Sequence, residues 1–190
     1  MKRIVYAMLA LGVFSSDARA DVSAGANKAQ ICLTCHQPQH RLAAMPLLEG
    51  QPAEYLYVQL KAYKDKTRAD PTATMPSSAA NLTDLDMREI SAFLATQMAP
   101  SVAYQVDSAK AVLGQNKAMV LGCGTCHVTD RNAATAVPRI AGQAVGYSVA
   151  QLQTFATGTR AHGVGSQAAP VVSLTSADIE ALANYFAQLK

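Results

Sequence analysis

The sequence has almost no strand-like alternation of apolar and polar residues, which argues against a sheet-based fold. It has no basic stripe: 16 Lys and Arg stand against 13 Asp and Glu, and the surplus is spread along the chain. That balance excludes a nucleic-acid binder of the usual kind. Its longest apolar run, Ile4 to Phe14, is too short to cross a bilayer as a helix. Cysteine is scarce, and all 4 cysteines fall within two pentapeptides, so none is left over for any other role. Methionine is absent beyond Met119. No segment remains for a separate output domain.

What is present begins with an export signal. Lys2 and Arg3 precede the apolar run, and Ala18-Arg19-Ala20 follows it as a small-x-small cleavage signature. Cleavage after Ala20 would leave 170 residues, enough for one domain or two small ones. Lys2, Arg3 and Arg19 leave with Asp17, so the mature chain keeps 13 basic and 12 acidic residues, a formal charge of +1. The expected location is the periplasm, with no stable membrane span after cleavage.

The two pentapeptides are Cys32-Leu33-Thr34-Cys35-His36 and Cys123-Gly124-Thr125-Cys126-His127. C-x-x-C-H is the pattern of covalent c-type haem attachment. The two thiols add across the haem vinyl groups, and the adjacent histidine binds iron from one side. Disulfides, a zinc site using His40, and a thioredoxin-like redox motif are the competing uses of such cysteines. A histidine directly after each pair favours haem. The expected cofactors are two covalently bound haem c groups, held by Cys32, Cys35, Cys123 and Cys126, with His36 and His127 as iron ligands.

An internal repeat organises the rest. Pro46, Gly50-Gln51, Tyr55, Gln59-Leu60, Tyr63 and Thr67-Arg68 recur 92 residues later as Pro138, Gly142-Gln143, Tyr147, Gln151-Leu152, Phe155 and Thr159-Arg160. The haem motifs recur at 91, so the second half gains one residue between its motif and Pro138. The halves run 21–100 and 101–190, after a leader over 1–20, with Ala99-Pro100-Ser101 as the break. Each half reads as helical. Helices are expected over Ala24–Cys35, Ser108–Cys123 and Ala53–Lys66, with Pro52 in the first turn of the last of these. Thr83 with Asp86, and Thr175 with Asp178, form near capping boxes. The apolar stripes Met87, Ile90, Leu94 and Ile179, Leu182, Phe186 follow them. Phe93 and Tyr185 are expected to pack the last helix of each half against its first. The fold class is therefore all-α.

These features together resemble the dihaem cytochrome c4 family. The resemblance rests on both C-x-x-C-H motifs, the Pro-x-x-x-Gly-Gln segments and the Tyr-x-x-x-Gln-Leu helices ending near Arg68 and Arg160. The dihaem subunits of sulfide- and thiosulfate-oxidising systems look similar. It implies two tandem class I cytochrome c domains related by an approximate two-fold, with haems facing each other across the domain interface. It also implies electron transfer between redox partners of the periplasm or membrane-bound respiratory complexes.

A low-spin electron-transfer haem has a second axial ligand, and thioether sulfur favours reduced iron. In the first half Met75, followed by Pro76, lies in a loop rich in Pro, Thr and Ser, where the family also has its axial methionine. Met45 is a weaker candidate, only 9 residues beyond His36. The second half departs from this pattern. Met119 precedes its motif, and the repeat sets Gln167 opposite Met75. Three readings stay open. His162 swings in to give bis-His ligation; the iron is five-coordinate with Gln167 nearby; or Gln167 binds weakly through its carbonyl. Arg68, Arg160, Tyr55 and Tyr147 are candidates for contacts with haem propionates, a guanidinium fork suiting a carboxylate.

Three function classes follow. First stands a periplasmic electron carrier with two haems of unequal potential, no residue being catalytic. The second is a dihaem enzyme or enzyme subunit, a peroxidase or an oxidiser of sulfur compounds, using an open second haem. The third is a gas sensor, which lacks an output domain. The carrier ranks above the enzyme, because no acid/base pair accompanies the second loop.

Overall fold

The computed structural model describes residues 20–36, 45–70, 72–127, 136–162 and 169–190. Most of the expected leader, together with His40 and Gln167, lies outside the described residues. No strand occurs among the described residues, and none of their helices is long and apolar enough to cross a membrane.

In the first half, α1 (Val22–Cys35), α2 (Ala53–Lys64), α3 (Thr74–Ala79) and α4 (Asp84–Thr96) follow in order. In the second, α5 (Ser108–Leu121) and α6 (Cys123–Cys126) are followed by α7 (Val145–Ala156), α8 (Ala169–Val172) and α9 (Ser176–Gln188). Side chains set the helix starts. The Asp21 carboxylate accepts from the N–H groups of Ser23 at 2.8 Å and Ala24 at 3.3 Å, opening α1. Asp107 accepts from Lys110 N–H at 3.1 Å, opening α5. Thr83 and Thr175 each form a full capping box, with Asp86 and Asp178 returning the bond to the cap backbone. Aspartate does here what glutamate or glutamine usually does.

The first and last helices of each half cross at a glycine. A Cβ on Gly25 of α1 would lie 2.0 Å from the Glu89 carbonyl oxygen and 3.0 Å from Phe93 Cβ. A Cβ on Gly114 of α5 would lie 2.0 Å from the Ala181 carbonyl and 2.8 Å from Tyr185 Cβ. Phe93 and Tyr185 thus do pack the last helix on the first, and glycine lets the backbones approach. The stripes Met87, Ile90, Leu94 and Ile179, Leu182, Phe186 are buried as expected. Each half's core is small: Ala29, Leu56, Ile90 and Leu94 in the first, Ala118, Leu182 and Phe186 in the second. Full burial of one such large side chain contributes about 1.5–3 kcal/mol.

Three local expectations change. The helix toward the second motif does not run to Cys123: Gly122 adopts φ 67°, closes α5 on the carbonyls of Ala118 and Met119, and starts the short α6. Glycine tolerates this left-handed step, which the first half, without a glycine there, does not make. Helix α2 stops at Lys64 rather than Lys66, because Lys66 takes φ 57°. Met75 sits in a short helix rather than a loop. The Asp70 carboxylate accepts from the N–H groups of Thr72 at 3.0 Å and Met75 at 2.9 Å, which organises the turn. Pro76 falls in the first turn of α3, where its missing N–H costs nothing.

Candidate haem sites and the interface between the halves

Each C-x-x-C-H segment ends in a histidine whose ring is oriented by a backbone carbonyl. His36 is buried, and its Nδ1–H donates to the Pro46 carbonyl at 3.2 Å. His127 Nδ1–H donates to the Pro138 carbonyl at 2.7 Å. This arrangement fixes the tautomer, with the proton on Nδ1 and the lone pair on Nε2, the form in which an imidazole ligates a metal. Burial holds His127 below the ordinary histidine range, and the neighbouring His162 adds to this against the pull of the Pro138 carbonyl. A neutral imidazole is the form that binds iron.

The cysteines fit the same purpose. None of the four is in a disulfide. Cys32 and Cys123 are partly buried against their cores, and burial pushes both thiols up. Cys35 and Cys126 lie one helical turn further on and are exposed. Thr34 and Thr125 pin the two turns alike, each hydroxyl donating at 2.6 Å, to the carbonyls of Ile31 and Gly122.

On the second site the structure brings His162 to His127. Their ring centres are 6.0 Å apart, with the planes inclined at 42°. Imidazole–metal bonds run at about 2 Å, so two rings bound to opposite sides of one metal have centres roughly 6 Å apart. Phe155 meets the His162 ring edge-on at 5.0 Å between centres and limits its rotation. Gln167, the alternative at the repeat position, lies outside the described residues. Met75 is half-buried, and its backbone is held by Asp70. Met45 is exposed.

The arginines and tyrosines are not spread over the surface. They meet in one cluster between the halves. Arg68 Nη1 donates to Gln59 Oε1 at 2.8 Å, and Nη2 donates to Gln151 Oε1 at 2.9 Å and to the Tyr147 hydroxyl at 3.2 Å. Arg160 mirrors it, donating to Gln151 Oε1, to Gln59 Oε1 at 2.9 Å and to the Tyr55 hydroxyl at 3.4 Å. Each guanidinium also covers a ring, Tyr63 at 4.5 Å and Phe155 at 4.7 Å. Every partner is related by the 92-residue offset. A left-handed residue after each helix, Lys66 or Gly158, turns the chain back to present the arginine. Burial pushes the Tyr147 phenol up to about 12, with Tyr55 adding to it.

The electrostatics of this cluster are unbalanced. Two guanidiniums share two amide oxygens, and no carboxylate is among these hydrogen-bond partners. Two guanidiniums that donate to the same amide oxygens repel one another, the more so away from water. An anion of carboxylate shape would reverse that sign.

A second reciprocal contact also joins the halves. Gln143 accepts from Leu47 N–H at 2.8 Å and donates to Leu47 O at 3.1 Å. Gln51 accepts from Arg139 N–H at 2.9 Å and donates to Arg139 O at 2.8 Å. Gly50 and Gly142, at φ 74° and 69°, supply the turn before each glutamine. The sequence shows these glutamines and the prolines as repeated letters. What signals their role is polar side chains recurring at fixed register in segments that bury both copies.

The chain matches the cytochrome c family over residues 22–97. It is similar to cytochrome c-552 of Acidithiobacillus ferridurans, 31% identical over 90% of this chain and 78% of that one. With cytochrome c4 of Pseudomonas aeruginosa it shares 30% identity over 97% of this chain and 96% of the relative. The thiosulfate dehydrogenase electron acceptor of Stutzerimonas stutzeri is 30% identical over 87% and 82% of the two chains. The crystal structure of reduced cytochrome c4 from Pseudomonas stutzeri superposes with TM-score 0.75 and 26% identity, over 90% of this chain and all of that one. With two haem-attachment segments, a helical two-domain fold and these relatives, the chain belongs to the dihaem cytochrome c4 family and is an electron-transfer cytochrome with two covalently bound haem c groups.

Proposed function

We propose that this protein is a periplasmic electron carrier whose two haems differ in their distal ligand. His36 and Met75 ligate the iron of haem 1, and His127 and His162 ligate that of haem 2. The domains span 21–100 and 101–190, and a leader over 1–20 directs export. The observation that carries the reading is the 6.0 Å spacing of the His127 and His162 rings, with no methionine in the second half beyond Met119.

Bound haem c supplies reversible one-electron iron chemistry. The residues of the chain set its terms. Pro46 and Pro138 hold the proximal rings in their binding tautomer. The soft Met75 sulfur favours reduced iron at the first site, and imidazole favours it less at the second, so haem 2 has the lower potential. Arg68, Arg160, Tyr55 and Tyr147 would receive the propionates at the interface, where the two guanidiniums have no carboxylate among their described hydrogen-bond partners. With Met75 and His162 as second ligands neither iron would have an open position, which would favour a carrier over an enzyme.

Partners are redox proteins, met transiently and over small surfaces. The relative named as a thiosulfate dehydrogenase electron acceptor points to an enzyme that oxidises sulfur compounds as donor, with a membrane-bound respiratory complex as acceptor. Optical spectra of oxidised and reduced protein with and without carbon monoxide test the reading. Two low-spin haems indifferent to carbon monoxide are expected. A high-spin fraction that binds carbon monoxide would refute bis-His ligation and favour the enzyme reading.

A further inference from the structure

The cross-half glutamines do more than fasten the domains. The Pro46 carbonyl and the Leu47 N–H belong to one peptide unit, which is planar and rigid. Its oxygen accepts from His36 Nδ1 at 3.2 Å, and its N–H donates to Gln143 Oε1 at 2.8 Å. A single amide plane therefore links the proximal histidine of the first half to a side chain of the second. The Pro138–Arg139 peptide repeats the arrangement in the other direction. Its oxygen accepts from His127 Nδ1 at 2.7 Å, and its N–H donates to Gln51 Oε1 at 2.9 Å.

Both glutamines are buried and use both ends of their amide on the same residue, so their orientation is fixed. Hydrogen bonds in such a chain polarise one another. An acceptor on the peptide N–H makes the peptide oxygen a better acceptor, which draws the Nδ1 proton further and makes the imidazole a stronger donor to metal. Stronger donation favours oxidised iron.

We propose that Gln143 and Gln51 are positioning residues that tune, each across the domain interface, the proximal histidine of the opposite half: Gln143 acts on His36, and Gln51 on His127. The inference rests on reading His36 and His127 as iron ligands. It makes the potential of each haem depend on the contact between the domains, so a partner that shifts the domains shifts both potentials.

The test is a potentiometric titration of the holoprotein, with haem 1 identified by its sulfur-to-iron absorption band. Gln143→Leu is expected to move the midpoint of haem 1 upward and leave haem 2 in place; Gln51→Leu is expected to move haem 2 upward and leave haem 1. Gln143→Glu keeps an acceptor for the Leu47 N–H and adds negative charge, so it should lower haem 1, and it carries the test if the leucine variant fails to load haem. Loosening of the interface alone would move both haems in every variant. That result, or an unmoved haem 1 in both Gln143 variants, would overturn the proposal. His36→Ala separates the two levels: a low-spin haem 1 surviving that change would refute the ligand assignment itself, whatever the glutamine variants do.

Discussion

The rings of His127 and His162 stand 6.0 Å apart, inclined at 42°, with Phe155 against the second. Nothing in the first half corresponds to this pair, since the repeat sets no histidine opposite His162. His162→Ala should therefore convert haem 2 alone to a high-spin form that binds carbon monoxide. The optical change should amount to about half of the haem absorbance. A spectrum unchanged from the parent would remove His162 from the coordination sphere.

The proposal of Met75 for the other iron rests on residue type and on its place in the Asp70-organised turn, which holds its backbone. Met75→Ala should abolish the sulfur-to-iron band and lower the potential of haem 1, while haem 2 keeps its own. Persistence of the band would show that a different methionine supplies the sulfur.

The helix crossings were legible only in part. The stripes Met87, Ile90, Leu94 and Ile179, Leu182, Phe186, the capping boxes and the Phe93 and Tyr185 contacts all follow from periodicity and end signals. The glycines that permit the crossings do not stand out, because Gly25 and Gly114 are related by an offset of 89 rather than 92. The arginine cluster was half-visible. Its members could be picked out as repeated residues, but a one-dimensional repeat does not tell whether two copies face outward or each other. The break at Gly122 and the short helix at Met75 depend on a left-handed step and on one carboxylate, which propensity does not capture.

Gly25→Ala and Gly114→Ala test those crossings. A Cβ 2.0 Å from a carbonyl oxygen forces the helices apart. Overpacking of this kind costs about 1–3 kcal/mol, more than the gain of up to about 1 kcal/mol from replacing glycine in a helix. Each variant should lower the denaturation midpoint, and variants no less stable than the parent would show that the helices do not meet so closely.

Acid should weaken both halves through one mechanism. The Lys117 ammonium, together with the Thr175 hydroxyl and N–H, lowers Asp178 to about 2, and Lys28 with Thr83 holds Asp86 well below the ordinary carboxylate range. A carboxylate depressed on folding contributes stability that is full above its unfolded value near 3.8 and is lost as pH falls through the folded one. The loss should therefore fall between about pH 4 and pH 2 for Asp178 and continue to lower pH for the more strongly depressed Asp86. Asp86→Asn and Asp178→Asn should flatten that limb of the stability–pH curve, and an unaltered slope would count against the ion pairs.

The central claim, that attachment is duplicated while distal ligation is not, is tested most directly by a potentiometric titration of the native protein monitored at the haem bands and at the sulfur-to-iron band together. Two one-electron waves are expected, with the sulfur band following the upper wave alone. Two waves that both carry the sulfur band, or one unresolved wave from two alike haems, would contradict it.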